Sequence, residues 1–355
     1  MTLYIILLFL SILFAIIAHY SKTKNYILGG TLMGFLCLMC ALRDLECGTD
    51  TLNYLIIFTE DPNNPLREPL YVLSMLLIRD YRVFLFFYAI ITYSLIFFSL
   101  TKEVRLICFG IVVFLICPNK LFPETFNIIR QALAGSLILF AFIEVKHGYK
   151  WKSIICIFIA CGFHFSSIIA FPFLLVRQQC YNLRFSITIV FTTFIFGILG
   201  GAQIIVEMLI QLLGIGWGDY ITLLALKTLS YSEKLQGASF TYNLTLLVPN
   251  ILCCLITYPY KELSKNKYGY YYNIFILTTV LGNIFIPAMP YGFRFIYSLE
   301  FIQLLIVPMA YQYESNRTRL YIIALMILNI GIYIHYLYHL PSVGNRGIVP
   351  YKSII

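Results

Sequence analysis

The chain has 355 residues, 60% of them hydrophobic, 17% aromatic and only 12% charged, with a formal net charge of +9. A soluble domain carries about 25% charged residues, so this composition excludes an ordinary water-soluble enzyme. It also excludes a nucleic-acid binder, because the 25 Lys and Arg sit in short clusters between apolar runs, as topology selection requires, and not in one basic patch.

Apolar runs of roughly 17 to 25 residues, the length that spans ~30 Å of hydrocarbon, recur along the chain, whereas the ~10-residue alternating segments of a transmembrane β-barrel are absent. The predicted fold is therefore all-α, a polytopic integral membrane helical bundle of about 10 to 12 transmembrane helices forming a single domain over residues 1–355. No internal repeat, linker or low-complexity stretch interrupts it.

The first run, "MTLYIILLFLSILFAIIAHY", lacks a basic n-region and a small-residue cleavage site and reads as a span over 2–19. The second, 26–42, contains "CLMC". Inside a spanning helix these cysteines read as small apolar residues, and the ten cysteines show neither a disulfide framework nor zinc spacing. The connection 43–82 follows, and its first part, "RDLECGTDTLNYLIIFTEDPNNPLREPLY", holds six of the chain's 16 acids. Within it Gly48, Thr49 and Asp50 predict a turn that caps a helix starting at Thr51. "PLYVLSMLLIRD" is too short to span and reads as a re-entrant or interfacial helix.

Further spans are predicted over 83–100, 104–118, 127–144, 241–259, 269–289, 293–312 and 320–338, with two or three more crossings inside 153–213. Five connections, 20–25, 101–105, 145–152, 260–268 and 313–319, hold 12 of the 25 basic residues and read as cytoplasmic. Both termini, the acidic connection 43–82 and a wide loop over 214–240 then fall outside. That loop, with Trp217 among its aromatics, offers rings for sugar stacking or an interfacial aromatic belt.

An ionisable side chain inside a span needs a partner or a cavity, which singles out four groups. Arg130 lies at the outer end of "NIIRQALAGSLILFAF" beside Gln131, ahead of the small residues Ala132, Ala134, Gly135 and Ser136 that allow close helix packing. An inward-facing guanidinium there suits phosphate recognition. Arg294, in "YGFRFIYSLE" with Tyr291 before it and Glu300 after it, suits the same task. Glu300 itself reads equally as half of a structural ion pair. His164, in "GFHFSSII", is either a packing histidine bonded to Ser166 or Ser167 or an acid–base group. No metal-ligand spacing surrounds it.

Taken in order, these residues resemble a known family. "ALRDLECGTDTLNY" is similar to the Arg…Gly-Thr-Asp-Thr-x-x-Tyr signature of EpsG-type, Wzy-like polysaccharide polymerases. "REPLYVLSMLL" resembles their Glu-Pro-x-Tyr helix, "NIIRQALAGS" their Arg-Gln-x-x-Ala span, "GFHFSSII" their His-Ser segment, and "YGFRFIYSLE" and "VPYKSII" late features of such chains. The resemblance implies a bacterial inner-membrane glycosyltransferase that needs no metal or cofactor. Such an enzyme joins oligosaccharide units carried on undecaprenyl diphosphate at the periplasmic face, making O-antigen or a similar polysaccharide. Its partners would be the lipid-linked oligosaccharides, the bilayer and a chain-length regulator. It would bind diphosphate and glycan through Arg43, Arg130, Gln131, Arg294, Tyr291, Tyr54 and Trp217, with the base among Asp44, Asp50, Glu68 and His164. An O-antigen ligase or other lipid-linked sugar transferase is the alternative on the same plan, and a lipid-linked oligosaccharide flippase is the next.

Overall fold

A computed structural model of the protein describes residues 2–21, 26–48, 50–64, 67–118, 121–201, 204, 208, 239–288, 292–339, 348 and 351–353. Among these, strand-type pairing is limited to an isolated antiparallel bridge between Arg43 and Ser353. The helices are α1 (Thr2–Tyr20), α2 (Tyr26–Ala41), α3 (Thr51–Glu60), α4 (Pro69–Leu77), α5 (Tyr81–Glu103), α6 (Ile107–Ile116), α7 (Leu121–Asn127), α8 (Ile129–Lys146) and α9 (Lys150–Phe163). A 3-10 helix (Phe165–Leu175) precedes α10 (Leu183–Ile198), α11 (Ser239–Ile256), α12 (Glu262–Ala288), α13 (Phe293–Glu300), α14 (Gln303–Tyr313) and α15 (Asn316–His339). Local chemistry sets several starts. Asp80 Oδ1 accepts from the Val83 amide at 2.9 Å to cap α5, Asn182 caps α10 through Phe185 at 2.7 Å, and Pro69 opens α4 where no amide donor is needed.

The bundle presents a belt of exposed large apolar side chains, including Phe9, Ile27, Phe98, Phe158, Ile168 and Ile327, a surface suited to hydrocarbon and not to water. This is a polytopic helical membrane protein. Four stretches among the described residues are long and apolar enough to cross a bilayer unaided: α1, α5, Tyr268–Ala288 within α12, and α15 up to Tyr338. Two bent pairs raise the number to six, α6 with α7 at 64° and α13 with α14 at 46°.

Among the described residues that is fewer than the about 10 to 12 spans read from hydropathy; the apolar α2 and α10 are only 16 residues long, and breaks and charges shorten other runs. The run 293–312 turns at Phe301 and Ile302, and 153–213 divides at His164. The run 127–144 becomes the 18-residue α8, which carries Arg130, Glu144 and Lys146. The nine-residue α4, about 14 Å long at 1.5 Å per residue, cannot span.

Charge divides the bundle into two ends. At one, the basic connections meet: Lys102 pairs with Glu144, Lys146 with Glu103 at 2.6 Å, and His147 with Glu103 at 2.6 Å. There too the Tyr268 hydroxyl donates to Glu314 at 2.6 Å, and Tyr20, Arg105 and Arg319 line one cavity.

The opposite end gathers the acidic connection and parts of both termini. Tyr4 OH donates to the Ile348 carbonyl at 2.7 Å and Tyr351 OH to the Met39 carbonyl at 3.0 Å. The Asp44 amide donates to the Lys352 carbonyl at 2.9 Å. Between them Arg43 is 0% exposed. Its Nε donates to Thr51 Oγ1 at 3.2 Å and its Nη1 to the Cys40 carbonyl. Its own carbonyl accepts from Arg82 at 2.7 Å. All ten cysteines are free.

The turn at 48 is forced. Gly48 has φ 102°, and a Cβ there would lie 2.7 Å from Thr51 Oγ1 and 3.1 Å from the Phe126 carbonyl. Gly48→Ala therefore lowers stability by more than about 1 kcal/mol. Gly34→Ala, in α2 with nothing within 4 Å of the added methyl, does not. Thermal unfolding of the two purified variants checks the contrast, and equal melting temperatures would contradict it.

Candidate functional site

Five residues far apart in sequence meet at the end that holds the acidic connection. Glu68 precedes α4, Arg130 stands in the first turn of α8, and His164 occupies the extended residue (φ −157°, ψ 114°) between α9 and the 3-10 helix. Asp50 precedes α3 and Arg294 is the second residue of α13. Packing of α4 on α9 and of α13 on α8 and on the 3-10 helix holds these ends together.

Glu68 is the centre. One carboxylate oxygen, Oε2, accepts from Arg130 Nη1. The other, Oε1, faces His164 Nδ1 at 3.0 Å. Burial opposes ionisation of this carboxyl, but the His164 hydrogen bond and the Arg130 charge outweigh it and hold its pKa below the ordinary carboxylate range. At neutral pH Glu68 is an anion that both partners need.

The Arg130 guanidinium lies 4.5 Å from the Tyr71 ring centre and 5.8 Å from that of Tyr54, a cation–π setting. Its buried Nε has no hydrogen-bond partner among the described residues. Arg294 faces Asp50 at 3.7 Å with 42% of its side chain exposed. The buried Tyr54 hydroxyl lies within electrostatic reach of Arg130, Asp50 and Arg294, which joins the two ion pairs into one cluster. Gln131 Nε2 donates to the Arg294 carbonyl and ties α8 to α13. Close approach of these helices depends on Gly135, where a Cβ would lie 2.7 Å from the Phe301 ring and 3.2 Å from Ser298 Cα.

Of the residues singled out from the sequence, Glu68, Arg130, His164, Asp50, Arg294, Gln131 and Tyr54 are brought together. Arg43 is not. It is packed beneath the connection with no accessible surface, fastening the end of α2 to the start of α3, so it holds the site's frame and meets no substrate as placed. Asp44 accepts from the Glu46 amide at 3.0 Å and serves a local turn. Asp50 stands at the N-cap position but its side chain makes no capping bond. Thr49, Tyr291, Trp217 and most of the 214–240 loop lie outside the described residues.

The Ser166 and Ser167 side chains do not hold His164, whose partner is Glu68. Glu300 accepts from Gln303 Nε2, which also donates to Asn250 Oδ1 at 3.0 Å. Of the acids in the connection, Asp61 pairs with Arg67 at 2.9 Å and Glu46 with Lys352. The sequence reading had missed Tyr71 as a platform for Arg130 and Tyr4 and Tyr351 as anchors. A tyrosine beside Pro69 in a helix too short to span was the available signal for the first.

The model of the EpsG family matches residues 26–353. The chain belongs to the EpsG family. No curated protein and no solved structure matches it. Membership of this family supports a polysaccharide-polymerase-like, glycosyltransferase-like role, and the matched span includes every residue of the cluster. No group of three or more His, Cys, Asp or Glu suited to a metal occurs among the described residues.

The Glu68–Arg130–His164 bridge makes a pH-dependent prediction. Glu68→Gln keeps the shape and removes the charge, costing about 1–3 kcal/mol at pH 7. Because the folded-state pKa is lowered, this contribution is complete above the unfolded value near 4.3. It is lost as pH falls through the lower folded value. The gap in melting temperature between wild type and Glu68→Gln thus closes below about pH 4. A gap independent of pH would contradict the ion pair.

Proposed function

We propose that this EpsG-family protein polymerises oligosaccharide repeat units carried on undecaprenyl diphosphate, yielding O-antigen or a related exopolysaccharide. The observation that carries the reading is the meeting of two arginines, a histidine–carboxylate pair and buried tyrosines at one end of the bundle. Basic connections favour the cytoplasm, and they collect at the other end. This supports a periplasmic site in a bacterial inner membrane, with both termini on the periplasmic side.

In the reaction, an acceptor sugar hydroxyl attacks the anomeric carbon of the growing chain. The new C–O bond forms as the bond from that carbon to the diphosphate oxygen breaks. Glu68, ionised, accepts from His164 Nδ1–H and so leaves Nε2 as the basic nitrogen that takes the hydroxyl proton. The leaving polyprenyl diphosphate carries negative charge at the membrane surface, where Arg294, loosely paired and half exposed, and Arg130 neutralise it. Tyr54 and Gln131 position the two arginines. An O-antigen ligase would draw on the same donor and the same groups, and the product separates the two readings.

Complementation of a host lacking the gene tests the proposal, with surface polysaccharide resolved on a gel. Wild type restores a ladder from a core bearing one repeat unit. Arg130→Ala and Arg294→Ala leave only the single unit. His164→Ala lowers polymer by the ~10²–10⁴-fold of a lost acid–base group. Arg317→Ala, on an exposed side chain bonded to Tyr321 at 2.7 Å at the basic end, restores the full ladder. Normal polymer from either site-arginine variant, with membrane expression confirmed, would overturn the reading. Loss of even the single unit in the gene-deleted host would point to a ligase, a flippase or an earlier step.

A further inference from the structure

We propose that the basic end of the bundle carries a second, separate site, which binds one anionic glycerophospholipid of the surrounding leaflet. Two cavities of about 450 Å³ each lie there. They share His19, Tyr20, Leu106 and Tyr311, so one opens onto the other. The first is lined also by the side chains of Arg105, Gln312 and Arg319. The second is apolar, with Ile12 and Ile16 of α1, Phe109 of α6, and Ile323 and Ile327 of α15 on its walls. α1 and α15 both pack on α6, and the groove runs between them over its surface. From Ile12 to Tyr20 it follows α1 for on the order of 12 Å at 1.5 Å per residue. A polar mouth joined to an apolar groove of that length has the shape of a head group with an acyl chain.

Charge selects the head. Arg319 spends donors on the Tyr311 and Gln312 carbonyls, at 2.8 and 3.1 Å, which fixes the guanidinium but leaves its charge unbalanced. The Arg105 side chain is exposed. Neither arginine makes an ion pair among the described residues. The nearest acids in sequence are already engaged, Glu103 by Lys146 and His147 and Glu314 by Tyr268. Two cations, one of them fixed, beside a histidine at the depth where an apolar groove ends complement a phosphate head with net negative charge. Basic pockets between spanning helices on the cytoplasmic side hold such head groups. A zwitterionic lipid would bring its own cation into the same field and bind less well.

The test uses the full chain in detergent and counts retained lipids by native mass spectrometry, with phosphatidylglycerol and phosphatidylethanolamine offered separately. Wild type retains phosphatidylglycerol at least about fivefold better, as ~1 kcal/mol per interfacial cation implies. Arg105→Ala reduces that excess about fivefold and leaves phosphatidylethanolamine unchanged. Ile327→Trp, on an exposed position of the groove wall, lowers retention of both lipids. Equal retention of the two lipids by wild type would overturn the proposal, and so would an excess untouched by Arg105→Ala. Displacement of phosphatidylglycerol by inorganic phosphate, with no effect of Ile327→Trp, would also overturn it by showing an anion site without an acyl groove. None of these readouts needs polymer synthesis, so failure here leaves the reading of the Glu68 cluster intact.

Discussion

Glu68 has two carboxylate oxygens and gives one to each of two demanding partners. Arg130 sits in the first turn of a helix packed at the centre of the bundle, where an unpaired guanidinium would be expensive, and Glu68 neutralises it. His164 stands where one helix stops and a 3-10 helix begins, with an extended backbone that points the ring across to the same carboxylate. The acidic connection therefore cannot drift from the helices behind it without stranding a charge. In the proposed reaction the pairing also sets chemistry, since an ionised Glu68 fixes which imidazole nitrogen is left to act as a base. Stability and proposed catalysis draw on the same bridge.

Around it, the frame is built from contacts that do no chemistry. Arg43 is fully buried and pinned between the end of α2, Thr51 and the bridge to Ser353. Asp50 reaches its place opposite Arg294 because Gly48 turns the chain with a positive φ and Arg43 holds the next helix. Gln131 and the close approach at Gly135 bring α13, and with it Arg294, against α8. Parts of both termini close over this end through Tyr4, Ile348 and Tyr351. The convergence of Arg130 and Arg294 thus has an architectural basis, while Arg43 lies one layer deeper.

Much of this was legible in the sequence. Charge composition and the length of the apolar runs together required a helical membrane protein, and an arginine followed by small residues at a span's end foretold that Arg130 faces inward. The Gly48 turn could be read from residue type. Other features were not legible, for physical reasons. Hydropathy sees apolar length and not bends, so 293–312 read as one span although it breaks at Phe301 and Ile302. Burial cannot be read from charge, so Arg43 reads as a diphosphate- or glycan-binding residue although it is fully buried. Partner choice is a matter of tertiary geometry. Nothing local tells His164 to prefer a carboxylate 96 residues away over the serines beside it, or Asp50 to face Arg294 in place of capping its own helix.

In the proposed function the lipid diphosphate is held at the Glu68 end, between Arg130 and Arg294, with the anomeric carbon facing His164. A structure of the full protein in a lipid nanodisc with a bound undecaprenyl-diphosphate oligosaccharide tests this most directly. Diphosphate oxygens are expected within hydrogen-bond distance of Arg294 and Arg130, and the first sugar beside His164 Nε2. A diphosphate seated instead at the opposite end, among Arg105, Arg319 and His19, would contradict it.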